Sequence, residues 1–209
     1  MRKIIVGVAI FSILMLSTQV YSGEPKYKGL FNLASDVKYY QYVGYKTSRA
    51  TENILLINIL DKRPNEEKVY NEDIQYFYDE IWTEPPLRML GRLFLREIRG
   101  SNIFKSADLE EKAPSHILEI ELNSFVGHYD SKTRVARGVV KIRSAFKSGS
   151  DGQMISDKKY EETSSSLVGR FTNAYRPMVI HIGKALNVVI RDMLGDLENA
   201  LIREGKKKD

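Results

Sequence analysis

Trp82-Thr-Glu-Pro-Pro-Leu-Arg-Met-Leu90, which continues to Ser101-Asn-Ile-Phe104, is the stretch that decides the fold of this chain. Its two prolines suit the first turn of a helix, where backbone N–H groups have no intrahelical partner. We expect Thr83 to be the N-cap and Gly100 to end the helix. Apolar residues recur every three or four positions and predict the buried face, which comprises Leu87, Leu90, Phe94 and Ile98.

Strand patterns lie on both sides of this helix. Residues 118–122, 140–146 and 153–163 alternate in polarity and predict a three-stranded meander, the last strand being polar enough for a sheet edge. Residues 54–60 form an almost unbroken apolar run, typical of a central strand covered on both faces. Residues 37–43 are rich in β-forming side chains and predict a first strand.

A second amphipathic helix is predicted from Tyr175 to about Glu204, where apolar residues follow one stripe. The order is therefore two strands, a helix, a meander and a helix. Gly91 lies on the apolar side of the first helix and predicts a close approach to the sheet. We predict an α+β fold with one domain, in which two main helices pack on one face of a mixed or antiparallel sheet.

The N-terminus has the pattern of a secretory signal peptide. Arg2 and Lys3 precede the apolar run 4–16, and small residues suit cleavage between Ser22 and Gly23. At about 1.5 Å per residue this run spans only ~20 Å, less than the ~30 Å of a bilayer core, which favours a cleaved signal over a membrane anchor. We predict four regions: a signal peptide at 1–22, an extended N-terminal segment at 23–35, the α+β domain at 36–204 and a basic tail at 205–209.

Composition narrows the functional classes. Export predicts a periplasmic protein, yet the chain has no Cys, so disulfides, thiolate catalysis and a lipid anchor on a lipobox cysteine are not expected. The formal charge is +5, and removal of Arg2 and Lys3 leaves 30 basic against 27 acidic residues, or +3. That charge is too small to indicate nucleic-acid binding.

Motifs for catalysis, cofactors and metals are not recognised. His116, His128 and His181 are widely separated and lack metal-ligand spacing. The run Ser164–Ser166 has no Gly-x-Ser-x-Gly context, and no phosphate-binding glycine loop occurs. We therefore expect no catalytic, cofactor-binding or metal site and no enzymatic activity. A hydrolase with an unrecognised site is kept as a remote alternative.

A basic stripe lies opposite the apolar face of the first helix. It consists of Arg88, Arg92, Arg96 and Arg99, at i, i+4, i+8 and i+11, and is called the arginine face below. Guanidinium groups pair well with carboxylates and phosphates, so these residues are candidate contacts for an acidic partner surface or phospholipid headgroups. A solvated helix face is the simpler alternative.

The ordered motifs of the chain resemble the auxiliary component family of ABC-type transporters, which includes periplasmic partners of MCE-type lipid transporters. The resemblance runs from Tyr39-Tyr40-Gln41-Tyr42 through 78–86 and 90–95 to Leu118–Phe125 and Gly127-His-Tyr129-Asp130. Its framework residues are Tyr78, Trp82, Pro85, Pro86, Phe104, Phe125, Gly127, Tyr129 and Asp130.

This resemblance implies a non-catalytic periplasmic accessory subunit of an envelope lipid transport system. The implied partners are an MCE-domain protein, an ABC permease complex, phospholipid and further copies of the chain in a homo-oligomer. The alternative is an envelope assembly or structural module that forms rings or binds outer-membrane proteins without moving lipid.

Overall fold

A five-stranded mixed sheet, covered on one face by two α-helices, forms the protein in this computed structural model, which describes residues 31–47, 49–67, 81–169 and 175–208. This arrangement confirms the predicted α+β fold class. The elements are β1 (Ile54–Asp61), a 3-10 turn (Asn65–Glu67), α1 (Pro86–Ser101), β2 (Ser106–Asp108), β3 (His116–Asp130), β4 (Val135–Ser148), β5 (Met154–Leu167) and α2 (Tyr175–Lys208).

The strand order in the sheet is β2-β1-β3-β4-β5. β1 runs parallel to both of its neighbours, and β3, β4 and β5 form an antiparallel meander. β2 is short and pairs only with Ile54–Leu56, whereas β4 pairs with β3 and β5 along nearly its whole length. β5 is the outer strand, as its polarity predicts.

The core lies between the helices and one face of the sheet. Leu90, Phe94 and Ile98 of α1 are fully buried, so the predicted apolar stripe faces inward there. Leu118 and Ile120 are equally buried, because alternate residues of β3 point to the helix side. One hydrophobic cluster contains residues of both helices and four strands.

Glycine sets the distance between α2 and the sheet. A Cβ atom on Gly138 of β4 would lie 2.1 Å from the backbone nitrogen of Ile182 in α2. Only a residue without a side chain therefore allows this approach of helix and strand backbones. The predicted close approach at Gly91 is looser, since a Cβ there would meet Ile59 and Leu109 side chains at 3.7 Å.

The prediction of a strand at residues 37–43 is wrong. Residues 37–39 form a turn, and residues 40–43 have no regular secondary structure. The side chain of Tyr40 is buried, and the Val43 amide donates a hydrogen bond to Glu97 of α1. The aromatic residues thus attach this segment to a helix face, and their β propensity is overridden by tertiary contacts.

The apolar run 54–60 is a strand, but it is not covered on both faces. β1 is second from the sheet edge, and Leu60 is 42% exposed. Its partner β2, three residues long, is too short for an apolar pattern and was not predicted.

Helix ends also differ from the prediction. Pro85 is the N-cap residue of α1, without a side-chain cap, and the hydroxyl of Thr83 instead accepts a hydrogen bond from Asn32. Asn102, in the left-handed conformation at φ 60°, ends α1 in place of Gly100. α2 continues to Lys208, four residues beyond its predicted end near Glu204 and through most of the predicted basic tail.

The described part of the predicted N-terminal segment, residues 31–35, contains a turn and places Leu33 in the core. The signal peptide, its cleavage residues Ser22 and Gly23, and Tyr78 lie outside the described residues. Within the described ranges, no helix combines the length and the hydropathy needed to cross a membrane.

Candidate binding surfaces

The first half of the arginine face lies beside one carboxylate. Arg92 forms an ion pair with Glu84, and the Arg88 guanidinium lies 3.9 Å from the same side chain. Arg88 is the more exposed of the two, at 76% of its side chain. Among the four arginines of this face, Arg88 has the most exposed side chain.

The second half of the arginine face binds other parts of the chain. Arg96 donates to the carbonyl oxygen of Ala34 at 2.9 Å and stacks on Tyr40, 5.6 Å from the ring centroid. Arg99 pairs with Asp108 of β2 at 2.9 Å. These two arginines hold the N-terminal segment and β2 against α1. Contacts within the chain therefore account for both side chains, and no external partner is needed to explain them.

A buried carboxylate lies behind this stripe. Glu97 is 1% exposed and accepts hydrogen bonds from the Val43 amide and the Arg96 guanidinium. Burial raises the pKa of Glu97. Burial and the nearby charge of Glu97 raise the pKa of Tyr40. This cluster joins the N-terminal segment to α1 through charged and aromatic contacts.

The aromatic framework residues form the core. Trp82 is 1% exposed and lies 5.2 Å from the ring of Phe125. Phe104 contacts Phe146 edge to face at 6.1 Å between ring centroids. Aromatic pairs in this distance range contribute packing energy, so these residues stabilise the fold.

The remaining framework residues shape turns and backbone. Pro86 begins α1, directly after Pro85. Gly127 pairs with Gly138 in the β3–β4 ladder. Asp130 accepts hydrogen bonds from the hydroxyl and amide of Thr133, which lower the pKa of its carboxyl and fix the β3–β4 turn. The half-buried Tyr129 packs against the core cluster.

His181 and two serines of β5 come together in the structure, although no sequence motif relates them. His181 in α2 is 4% exposed, with Nδ1 2.8 Å from Ser164 Oγ and Nε2 2.7 Å from Ser166 Oγ. Burial, assisted by the charge of Lys184, lowers the pKa of His181. A neutral imidazole accepts at one nitrogen and donates at the other, so one hydroxyl donates and the other accepts.

This His–Ser–Ser arrangement differs from a nucleophilic triad. In a triad the second ring nitrogen is oriented by a carboxylate, which also stabilises the imidazolium. Here both nitrogens of His181 are occupied by hydroxyl groups. The serines alternate on β5 and face one helix, a pattern that the sequence contains but that becomes meaningful only when α2 is placed.

A cavity of about 380 Å³ lies between the end of α2 and residues 49–53, which precede β1. His116 lines it, bonds to Glu204 through Nε2 at 2.9 Å and stacks on Phe146 at 5.0 Å. The remaining lining combines charged and polar side chains with apolar residues, namely Arg49, Thr51, Asn53, Ile103, Glu198, Leu201, Ile202, Gly205 and Lys206. Glu198 is bonded to Tyr45 and Thr47, whereas the buried Nδ1 of His116 has no hydrogen-bond partner among the described residues.

The described residues contain no group of three or more His, Asp or Glu side chains that could hold a metal ion.

A second depression lies between α1 and β1. It has a volume of about 590 Å³ and an apolar wall formed by Ile59, Leu60, Leu87 and Leu109, with Arg88 at its rim. β2 ends beside Leu56, so no strand within the described ranges pairs with the outer side of β1 beyond that point. We call this surface the β1 groove.

The other end of the sheet presents a longer edge. β5 pairs with β4 on one side, and no described strand pairs with its outer side over 14 residues. Met154 and Leu167 at its two ends are 45% and 75% exposed. Unpaired backbone groups on such an edge can accept another strand.

Comparisons with solved structures identify the fold. A Xanthomonas campestris protein of the DUF330 family aligns with a TM-score of 0.59 and 14% identity, over 78% of this chain and 94% of that one. A neuraminyllactose-binding hemagglutinin homologue from Helicobacter pylori aligns with a TM-score of 0.51 and 11% identity, over 81% and 96%. At these identities the likeness concerns the fold alone.

A PelC dodecamer from Paraburkholderia phytofirmans aligns less well, with a TM-score of 0.36 and 12% identity over 68% of this chain and 90% of PelC. No protein-family model and no curated protein matches the chain. The resemblance to the auxiliary family of MCE-type transporters is wrong: the solved structures that share the fold are a DUF330 protein and a hemagglutinin homologue. The motifs that suggested it are core aromatics, prolines and turn residues, which many α+β domains need for packing.

Proposed function

We propose that this protein is a non-catalytic module of the bacterial cell envelope that acts by binding other proteins, including copies of itself. The proposal rests on which side-chain and backbone groups of the described residues are still able to bond to another protein. The ionisable groups discussed above are mostly bonded within the chain, whereas the outer side of β5, and that of β1 beyond Leu56, pair with no strand among the described residues. A groove and a sheet edge are thus available to bind another protein chain.

The side-chain chemistry supports binding over catalysis. Both nitrogens of His181 are bonded to serines, and His116 is bonded to Glu204. Acid–base or nucleophilic catalysis requires such groups to be available at a site that admits substrate. The groups here instead join α2 to β5 and β3.

Export to the envelope rests on the signal-peptide pattern at residues 1–22. A role in lipid transport rested on the auxiliary-family resemblance and lost its support with it. The assembly alternative needs no lipid-binding residues, because sheet edges and an apolar groove suffice for protein contacts.

The proposal is tested by co-expressing two differently tagged copies and purifying one tag from gently solubilised envelopes. We expect the second copy and at least one envelope protein to co-purify in stoichiometric amounts. A Leu60→Asp variant should lose the envelope protein, whereas Lys132→Asp, in the exposed β3–β4 turn, serves as the matched control. Recovery of a single copy alone, unchanged by cross-linking before solubilisation, would refute the proposal.

A further inference from the structure

The charge order at the centre of β5, residues 158–162, reads the same from both ends with the signs exchanged. Lys158 and Lys159 precede Tyr160, and Glu161 and Glu162 follow it. When two antiparallel copies of this strand pair about Tyr160, each lysine lies directly opposite a glutamate. Opposite charges at facing positions stabilise a strand pair, and like charges destabilise it.

The centre of this charge pattern coincides with the centre of the strand. β5 extends from Met154 to Leu167, so pairing about Tyr160 joins the two strands over nearly their full length. Its register to β4 shifts only at the start, near Met154, and no proline interrupts it. Proline, bulges and short length are the common devices that block an edge, and the central part of β5 has none of them.

Side chains of this pattern lie on both faces of the strand, and Glu161 also pairs with Lys141 of β4 at 2.7 Å within the same copy. Lys158 and Glu161 have 47% and 62% of their side chains exposed. On the helix side, Tyr160 donates to Asp196 at 2.9 Å, and Lys158 lies 3.5 Å from the same carboxylate. The negative charge of Asp196 is therefore partly balanced by Lys158 of the same copy, whether or not a second copy binds.

We infer that β5 is a self-association edge, at which two copies pair antiparallel about Tyr160 and extend the sheet from five to ten strands. Because directly opposite residues share a face of the sheet, both copies place their helices on the same side. The occupant of the edge is a second copy of this chain, since the facing charges match only when the partner carries the same sequence in reverse order.

The same lysines could instead protect the edge of a monomer, which is a common use of charge on edge strands. Reversing the sign of the β5 charges distinguishes self-association from protection of a monomer edge. A variant with Glu161→Lys and Glu162→Lys places four positive charges around Tyr160, and one with Lys158→Glu and Lys159→Glu places four negative charges there. Lys158, Lys159 and Glu161 are exposed and Glu162 is half-buried, and each substitution replaces one charged side chain by another, so each variant should retain its fold.

We expect the wild-type protein to be a dimer by light scattering and each charge variant alone to dissociate at least tenfold more readily. An equimolar mixture of the two variants should restore the dimer, because every facing pair is again of opposite sign. Near-wild-type dimerisation of each variant alone, a mixture that stays monomeric, or a wild-type monomer would each overturn the inference.

Cysteine cross-linking tests the register independently of affinity. The chain has no native Cys, and facing residues of antiparallel strands have Cα atoms about 4.5–5.5 Å apart, within disulfide range. Chains with Lys159→Cys should form disulfides with chains carrying Glu161→Cys. They should not do so with chains carrying Thr163→Cys, which lies two residues further along the strand.

This inference rests on the proposed function for its premise that the chain assembles, but the two can fail separately. If tagged copies co-purify from envelopes while the β5 charge variants and cysteine pairs have no effect, assembly uses another surface. The proposed function then stands and the β5 register is wrong.

Discussion

Replacing Gly138 by Ala should destabilise the protein severely, because the added methyl group has no space. Its Cβ would lie 2.1 Å from the Ile182 nitrogen and 2.3 Å from the His181 carbonyl carbon. Relative to an ordinary contact of 3.4 Å, the overlap with the nitrogen is 1.3 Å. The obstructing atoms belong to the backbone of α2, so no rotamer change removes the clash.

The size of the loss in stability depends on how far α2 must shift. To accommodate the methyl group, the helix must move away from β4 by roughly 1 Å, and a gap of that size loses about a quarter to a half of each facing dispersion contact. Overpacking that side chains can absorb costs about 1–3 kcal/mol. Since a helix backbone must move here, we expect a loss of at least about 3 kcal/mol in the free energy of unfolding.

Urea unfolding measures this loss, with the fluorescence of the single, buried Trp82 as the probe. Gly91→Ala is the matched control, since its Cβ would meet side chains at 3.7 Å. Removal of a helical glycine should stabilise that variant by about 0.5–1 kcal/mol. Equal shifts of the two variants, or an unchanged midpoint for Gly138→Ala, would refute the account of how α2 docks.

Three further predictions concern single side chains. Trp82→Ala should lower the free energy of unfolding by about 3 kcal/mol or more, as measured by circular dichroism in urea, because a fully buried indole is removed; an unchanged midpoint would show that Trp82 is exposed. Arg96→Glu should reduce the melting temperature, since it places a second carboxylate beside buried Glu97, whereas Arg88→Glu on the exposed part of the arginine face should leave it unchanged. Because burial lowers the pKa of His181 below 6.5, the unfolded chain binds a proton there that the folded chain excludes, and stability should fall as the pH drops from 7.5 to 5.5; this fall should be smaller in His181→Gln, and equal slopes in both proteins would contradict it.

The elements that were predicted correctly are those whose local pattern and tertiary role agree. The alternation at 118–122 marks β3 because one side of that strand is buried and the other is not. The same reasoning identifies α1 through its apolar stripe and β5 through its polarity. Periodicity predicts an element well when burial on one side is what creates the period.

The predictions fail where contacts between residues distant in the sequence determine the local structure. The aromatic residues of 37–43 favour a strand by propensity, but Tyr40 is held under Arg96 and beside Glu97, more than fifty residues away. The predicted N-cap of α1 fails for a related reason, since the Thr83 hydroxyl accepts a hydrogen bond from the distant Asn32. Such pairings depend on chain geometry that a local pattern does not contain.

The candidate surfaces were predicted less completely than the fold. The arginine face was found by spacing, yet its bonds to Ala34 and Asp108 became apparent only in three dimensions. The contact of His181 with Ser164 and the open edge of β1 likewise depend on how the elements are packed. An acidic partner for the arginine face stays a prediction, to which Arg88 is the most accessible residue.

Photo-crosslinking in living cells tests the central claim, that the protein acts through contacts at its sheet edges, most directly. A photoreactive amino acid is placed at Leu60 in the β1 groove, at Lys159 on β5 or at Lys132 in the exposed turn as the control. We expect protein adducts of defined mass from the first two positions, that at Lys159 having the mass of two chains, and none from the third. Absence of adducts at both edge positions, or the same adducts at all three, would contradict it.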